Sequence, residues 1–261
     1  MKGKDNANEM LKQIVMNSLF SRVCYTEKTY IVKQIRINEV HSSLRWPDGE
    51  MKVFLPLFPL ELVVFPGEHL RLHVFEPRYK QLIAECREGN TTFGIPAYIN
   101  GGVAEYGTEM TLEQISKTYE DGEMDILTRG QRAFRLERFM RDVPGKLYSG
   151  GEVTFVENLE STTTVPKEAL SQRFRRLHEL LDTGYEREDF EGPNLSFQLG
   201  QEVGLTIYQK VKLLSLERES EREALIIEHM DEVIPKLEAV GETKRRIQGN
   251  GHFHRFPTLE L

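Results

Sequence analysis

Between Leu55 and Tyr79 the chain carries three short apolar bursts, each broken by proline: Leu55-Pro-Leu-Phe-Pro-Leu60, Val63-Val-Phe-Pro-Gly67 and Phe75-Glu-Pro-Arg-Tyr79. Proline removes a backbone donor and fixes φ, so such runs cannot serve as central strands of a long regular sheet. They are expected as short strands of a small curved barrel, with corners at the Pro and Pro-Gly positions. Pro77 suits the first position of a helix, where its missing N–H costs nothing. That helix carries Leu82, Ile83 and Cys86 on one face and stops at Gly89-Asn90.

Downstream the pattern stays β-like to about residue 156. Asn100-Gly-Gly102 reads as a turn, and Glu120-Asp-Gly-Glu123 as a hairpin turn. Between Tyr106 and Tyr119 the apolar parity changes, with Met110 and Leu112 on one phase and Ile115 and Tyr119 on the other, which requires a bulge. Met124–Thr128 is the return strand, Arg129-Gly-Gln131 reads as a further turn, and Val143-Pro-Gly145 as a corner. At Val165-Pro166 the period switches. Leu170, Phe174, Leu177 and Leu181 recur at helical spacing, a shorter helix includes Leu199 and Val203, and Leu205–Leu216 continues the pattern. Ser220-Glu-Arg-Glu223 fits a capping box ahead of a face made by Ala224, Ile227, Met230 and Ile234, with Pro235 bending or ending that helix. The expected division is 1–50 as an extension outside the fold, 51–160 as a β-rich barrel, 161–240 as a helical bundle and 241–261 as a loose polar tail. The extension is either a genuine N-terminal arm, with a weak helix over 10–20 and a strand over 30–40, or the product of a misassigned upstream start.

Composition narrows the class. The 261 residues are 39% hydrophobic and 29% charged, with a formal net charge of −7. The charge is uneven: residues 1–50 hold eight Lys/Arg against six Asp/Glu, so the remainder is the acidic part. An acidic chain repels phosphate backbones, which counts against nucleic acid as partner. No apolar run approaches a membrane span, and the N-terminus lacks a secretory pattern. Cys24 and Cys86 stand far apart, which supports neither a thiolate metal site nor a disulfide framework and suits a reducing cytoplasm.

Three blocks carry a family resemblance: Leu55–Tyr79 with its Phe-Pro-Gly corner; Glu105-Tyr-Gly-Thr108 followed by Gly122-Glu-Met-Asp-Ile-Leu-Thr-Arg-Gly-Gln-Arg-Ala133; and Ile207–Leu216 with the helix after it. In that order they resemble the substrate-binding N-terminal domain of Lon proteases, over about residues 52 to 240. The resemblance implies an α+β fold, a PUA-like β pseudo-barrel followed by an all-helical C-terminal subdomain. It also implies a non-catalytic module binding unfolded or extended polypeptide, an adaptor in protein quality control that works with an ATP-dependent protease or self-associates. No phosphate-binding loop of the type G-x-x-x-x-G-K-[ST] occurs, since Gly3-Lys4 and Gly145-Lys146 lack the rest of it. A serine-lysine peptidase half is not expected either, so the reading is a stand-alone binding domain without cofactor or metal. An RNA-binding PUA-like protein is the alternative.

Candidate binding residues follow from the same segments. Phe54, Leu57, Phe58 and Phe65 belong to a stretch with more large side chains than a proline-broken strand easily buries, so some are expected along an open groove. Glu76, Arg78 and Tyr79 form a polar cluster at the barrel corner, where Arg78 could fork onto a carboxylate; helix capping by Glu76 and local pairing of Arg78 is the structural alternative. Arg129 and Arg132 flank Gly130 and could meet an acidic ligand, or simply be solvated. His69 and His73 share a strand parity and suggest packing, His252 and His254 lie in the tail without a third ligand, and the carboxylates of 217–228 alternate with arginines as on a solvated helix face.

Overall fold

The computed structural model describes residues 52–159, 166–184, 190, 192 and 194–249, with residues 244–249 given by their backbone alone. The helix and strand expected before residue 51, and the two tail histidines, lie outside those residues.

The first proline-broken burst is a strand. β1 (Val53–Leu57) pairs antiparallel along its whole length with β6 (Ser149–Phe155), from Val53↔Val153 to Leu57↔Ser149. Its other edge meets β3 (Phe93–Ile99) in parallel only at Leu57↔Gly94, where the Phe58 amide donates to the Gly94 carbonyl at 2.8 Å. Backbone groups alternate along a strand, so Phe54, Pro56 and Phe58 turn theirs to that second edge. Pro56 therefore lacks its donor on the side where pairing is shortest.

The second burst differs from expectation. Leu60 bridges Ala97, but Val63–Gly67 form a corner rather than a strand. The third proceeds as expected: β2 (His69–Val74) leads through Phe75-Glu76 into α1 (Pro77–Gly89), which begins on Pro77 and ends at Asn90 in the left-handed region, φ 48°. Tyr79, Leu82, Ile83 and Cys86 bury against the sheet, and the Phe58 and Tyr79 rings stack with centroids 3.7 Å apart.

β4 (Gly102–Thr118) and β5 (Met124–Met140) form one long hairpin closed by the Tyr119 amide donating to the Glu123 carbonyl at 2.8 Å. Register shifts within it supply the bulges that the parity change required. The expected turn at Arg129-Gly-Gln131 is absent; β5 runs straight through it. Gly130 serves close approach instead: a methyl there would lie 2.3 Å from the Phe65 carbonyl oxygen. The Gly130 amide donates to the Glu68 carbonyl and its carbonyl accepts from Gly67, binding the corner to β5. The sheet runs β2-β5-β4-β3-β1-β6, and β6 also pairs with β5, so five strands make a partly closed ring with β2 added outside. Inside, Phe134 is fully buried with Leu55, Leu57 and Val153.

The helices follow as α2 (Lys167–Leu181), α3 (Leu195–Glu202), α4 (Ile207–Leu214) and α5 (Glu219–Gly249). Leu170, Phe174, Leu177 and Leu181 are all buried, as their spacing predicts. The architecture is thus α+β, a partly closed sheet followed by helices. Phe65 joins the two parts, since it sits in the helical core with its ring 5.5 Å from that of Phe197.

Two expectations about the last helices need correction, and a third narrows. The capping box lies at Thr206 and Gln209, not at Ser220 and Glu223: Gln209 N donates to the Thr206 hydroxyl, and Thr206 N to the Gln209 side chain at 2.9 Å. Ser220 is already inside α5. The buried stripe of α5 is Arg222, Ile226, Met230, Val233 and Leu237, with Ala224 exposed. Pro235 does not end the helix, which continues past Gly241 to Gly249. The stripe is displaced because Arg222 is not a solvated charge; it is 1% exposed. Its guanidinium donates to Ser196 Oγ, Asn158 Oδ1, Glu219 Oε2 and the carbonyls of Leu216 and Glu217, which uses all its nitrogens. A buried cation is tolerated only with such complete pairing.

Replacing Phe65→Ala leaves a cavity where sheet and helices meet and is expected to cost about 3–5 kcal/mol in urea unfolding. Arg222→Lys keeps the charge but offers a compact ammonium in place of a five-donor fork, with an expected loss of about 2 kcal/mol by the same measurement.

Candidate functional site

The ring closes at one end and splays at the other. Aligned from Leu57↔Gly94, β1 and the segment entering β3 separate toward their N-terminal ends, leaving Val53–Pro56 on one wall and Asn90–Thr92 on the opposite one. The space between them is an open groove of about 1170 Å³, floored by Tyr106 and Glu109 of β4, Arg132, Arg135 and Glu137 of β5, and Thr154–Glu157 at the end of β6 and just beyond it. Ser215 and Glu217, between α4 and α5, close its far side. The Phe54 N–H and C=O face this opening by strand alternation. Its ring, 45% exposed, rests across Gly150, where a methyl would come within 2.4 Å of the ring.

The floor is polar and held in place. Glu109 is buried, its two oxygens taken by Thr92 Oγ1 at 2.8 Å and Arg132 Nε at 2.8 Å. That grip lays the Arg132 guanidinium 3.6 Å over the Phe155 ring while leaving 56% of the side chain exposed. Arg135 Nε donates to Glu105 at 2.7 Å, with Glu137 3.8 Å away. Among the described residues the groove therefore combines an aromatic wall, an unpaired strand edge and a fixed cation. Its lining counts two arginines against four glutamates, a net negative rim.

Of the residues singled out from the sequence, the structure brings Phe54 and Arg132 together here. Leu57, Phe58 and Phe65 are at most 1% exposed and belong to the core, because the barrel interior, α1 and the helices each take one of them. Glu76 and Arg78 are nearly buried and pair with each other, Oε2 to Nη2 at 2.6 Å. Glu76 is the N-cap residue of α1, but its carboxylate accepts from Arg78 and not from the helix backbone. Tyr79 is buried beneath that pair, and burial pushes its phenol up to about 12. Arg129 is exposed on β5 outside the groove. The groove residues missed include Val53, Tyr106, Glu109, Arg135 and Phe155. No local pattern in the sequence signals them, because the register of paired strands brings them together.

A second polar cluster lies at the hairpin tip. His73, described above as a packing residue, is instead held between two carboxylates, Nδ1 to Asp125 at 2.7 Å and Nε2 to Glu123 at 3.0 Å. The Tyr119 hydroxyl donates to the other Asp125 oxygen at 2.9 Å. The strand register His73↔Asp125 creates the set, which no local pattern reveals. Among the described residues no group of three or more His, Cys, Asp or Glu is arranged to hold a metal ion, and no helix is long and apolar enough to cross a membrane.

Comparison with known proteins agrees with this architecture. Residues 54–234 match the family described as the ATP-dependent protease La (LON) substrate-binding domain. A Lon N-terminal domain protein from Xanthomonas campestris superposes with a TM-score of 0.54 at 28% identity, over 67% of this chain and 97% of that one. The N-terminal domain of Mycobacterium avium complex Lon protease shares the fold, with a TM-score of 0.50 at 18% identity over 69% and 98% of the two chains.

The hairpin-tip cluster has a pH signature. The hydrogen bond to Asp125, reinforced by Glu123, outweighs burial and raises the His73 pKa above 6.5. Burial pushes Asp125 up, but hydrogen bonds from His73 and Tyr119 outweigh it and hold the carboxyl below 3.8. A raised histidine contributes stability that is full below about pH 6.5 and lost as pH rises through its folded value; a depressed aspartate contributes above its ordinary value and loses this in acid. His73→Gln is therefore expected to lower the thermal midpoint clearly at pH 5.5 and by less at pH 9. An equal loss at both would contradict the assignment.

Proposed function

The chain belongs to the LON substrate-binding domain family, and from that premise we propose that it is a non-catalytic module holding exposed apolar segments of unfolded or extended polypeptide in the cytoplasm. In that role it is an adaptor in protein quality control, passing what it holds to an ATP-dependent protease. The observation that carries the reading is the groove at the splayed end of the ring, where an unpaired strand edge and exposed aromatic surface stand side by side. Both features suit extended backbone: the edge offers main-chain hydrogen bonds, and the rings offer apolar contact to side chains of many kinds. The fixed floor favours binding without rearrangement, which lowers the entropic cost of capture.

An RNA-binding role fits poorly. The rim carries more carboxylates than arginines, and both arginines are already paired with glutamates, so phosphate groups would meet repulsion.

The direct test is binding of reduced, alkylated lysozyme against native lysozyme by light scattering or anisotropy, with and without ATP and Mg²⁺. Capture of the unfolded form alone, without release of fragments, is expected. Proteolysis of the captured chain, or equal binding of the native form, would contradict the proposal.

A further inference from the structure

We infer that the groove takes its polypeptide by strand addition to the free edge of β1, and that it selects extended segments in which apolar residues alternate with lysine or arginine. This rests on the polypeptide-binding reading above and deepens it by naming the substrate class and the bonds that hold it.

The backbone argument starts from β1. Val53, Leu55 and Leu57 turn their polar backbone groups toward β6, and the Phe58 amide reaches Gly94 across the other edge. Phe54 has the same parity as Phe58, yet β3 has diverged at its level, so its N–H and C=O face the groove. An N–H and a C=O on one residue form the acceptor–donor pair that an incoming strand engages through a single residue of its own. The donor missing from Pro56 limits the added strand to a short stretch centred on Phe54. The parallel neighbour begins only at Leu57, so the added strand fills the position that β3 leaves vacant.

The side-chain argument concerns what such a strand would carry. On the face to which Phe54 turns it would lie against that 45% exposed residue, which favours apolar partners. On the other it would face the floor and rim. There Arg132 and Arg135 are each paired with a glutamate, while Glu137, Glu157 and Glu217 add negative charge around them. Alternation along a strand sends successive side chains to opposite faces. A segment alternating apolar with cationic residues meets apolar wall and acidic rim together. A segment alternating apolar with acidic residues meets repulsion on one side.

The experiment uses the full chain and three fluorescein-labelled decapeptides read by anisotropy: alternating Leu and Lys, alternating Leu and Glu, and the Leu-Lys peptide N-methylated at alternate backbone amides. Binding of the first, with at least tenfold weaker binding of the other two, is expected. The doubly substituted Glu157→Lys, Glu217→Lys chain, altered only at the rim, is expected to lose the preference for Lys over Glu. Phe54→Pro, which removes the free donor, is expected to weaken the Leu-Lys peptide at least tenfold. Because that variant alters β1, its thermal unfolding and the rim variant serve as independent checks. Equal affinity for the N-methylated peptide, or for Leu-Glu, would overturn the inference. If alkylated lysozyme is still captured in that case, the polypeptide-binding reading stands and only the mode falls; if neither is bound, both fall.

Discussion

Phe65 is where the sheet and the helices share one core, and the geometry around it constrains both. Its ring lies fully buried among α3 residues, while its backbone is held to the sheet by the Glu68 carboxylate accepting from its amide at 3.0 Å. The neighbouring Val64 carbonyl accepts from the buried Thr108 hydroxyl, and Gly130 gives the corner room to touch β5. A proline-glycine corner that would otherwise be a surface loop is thereby fixed from both sides. Large apolar side chains buried at such a junction contribute several kcal/mol each, comparable to much of the stability of an ordinary domain.

The consequence for function is positional. β1 meets β3 only at Leu57↔Gly94, and Leu60 bridges Ala97 before the chain turns into the corner. Among the described residues the N-terminal half of β1 has one partner, β6, and an edge strand within a nearly closed barrel is exposed at that point. Edge strands normally invite unwanted pairing. Here the opening is bounded by the Asn90–Thr92 segment, the α4–α5 connection and a floor braced by Glu109. Arg222 supports the same boundary from behind, since it ties Asn158, just after β6, to the start of α5.

Much of this fold was legible in the chain, because local physics and tertiary packing agreed. Pro77 and Asn90 mark a helix by restrictions that hold in any context, and the Leu170–Leu181 face is a periodicity that only a helix satisfies. Sequence and structure part where one residue type has two uses. Gly130 reads as a turn residue, yet here it grants a close approach. Arg222 sat among alternating charges and looked solvated, yet its partners come from residues 158, 196 and 216–219 brought together by folding. The groove is harder still. Phe54 and Arg132 stand out as apolar or cationic, but its lining derives from six separated stretches, and their meeting depends on where the ring fails to close. Leu57, Phe58 and Phe65 stand out by size, and size is equally the mark of a core.

The central claim is that the free edge of β1 is where polypeptide is held, and hydrogen exchange at single-residue resolution tests it most directly. With an unfolded polypeptide bound, the Phe54 amide is predicted to become the most strongly slowed amide of β1 relative to the free chain, with smaller changes across Asn90–Thr92. Unchanged exchange at Phe54, together with protection on the exposed surfaces of α2 or α5, would contradict the account and move the binding surface to the helices.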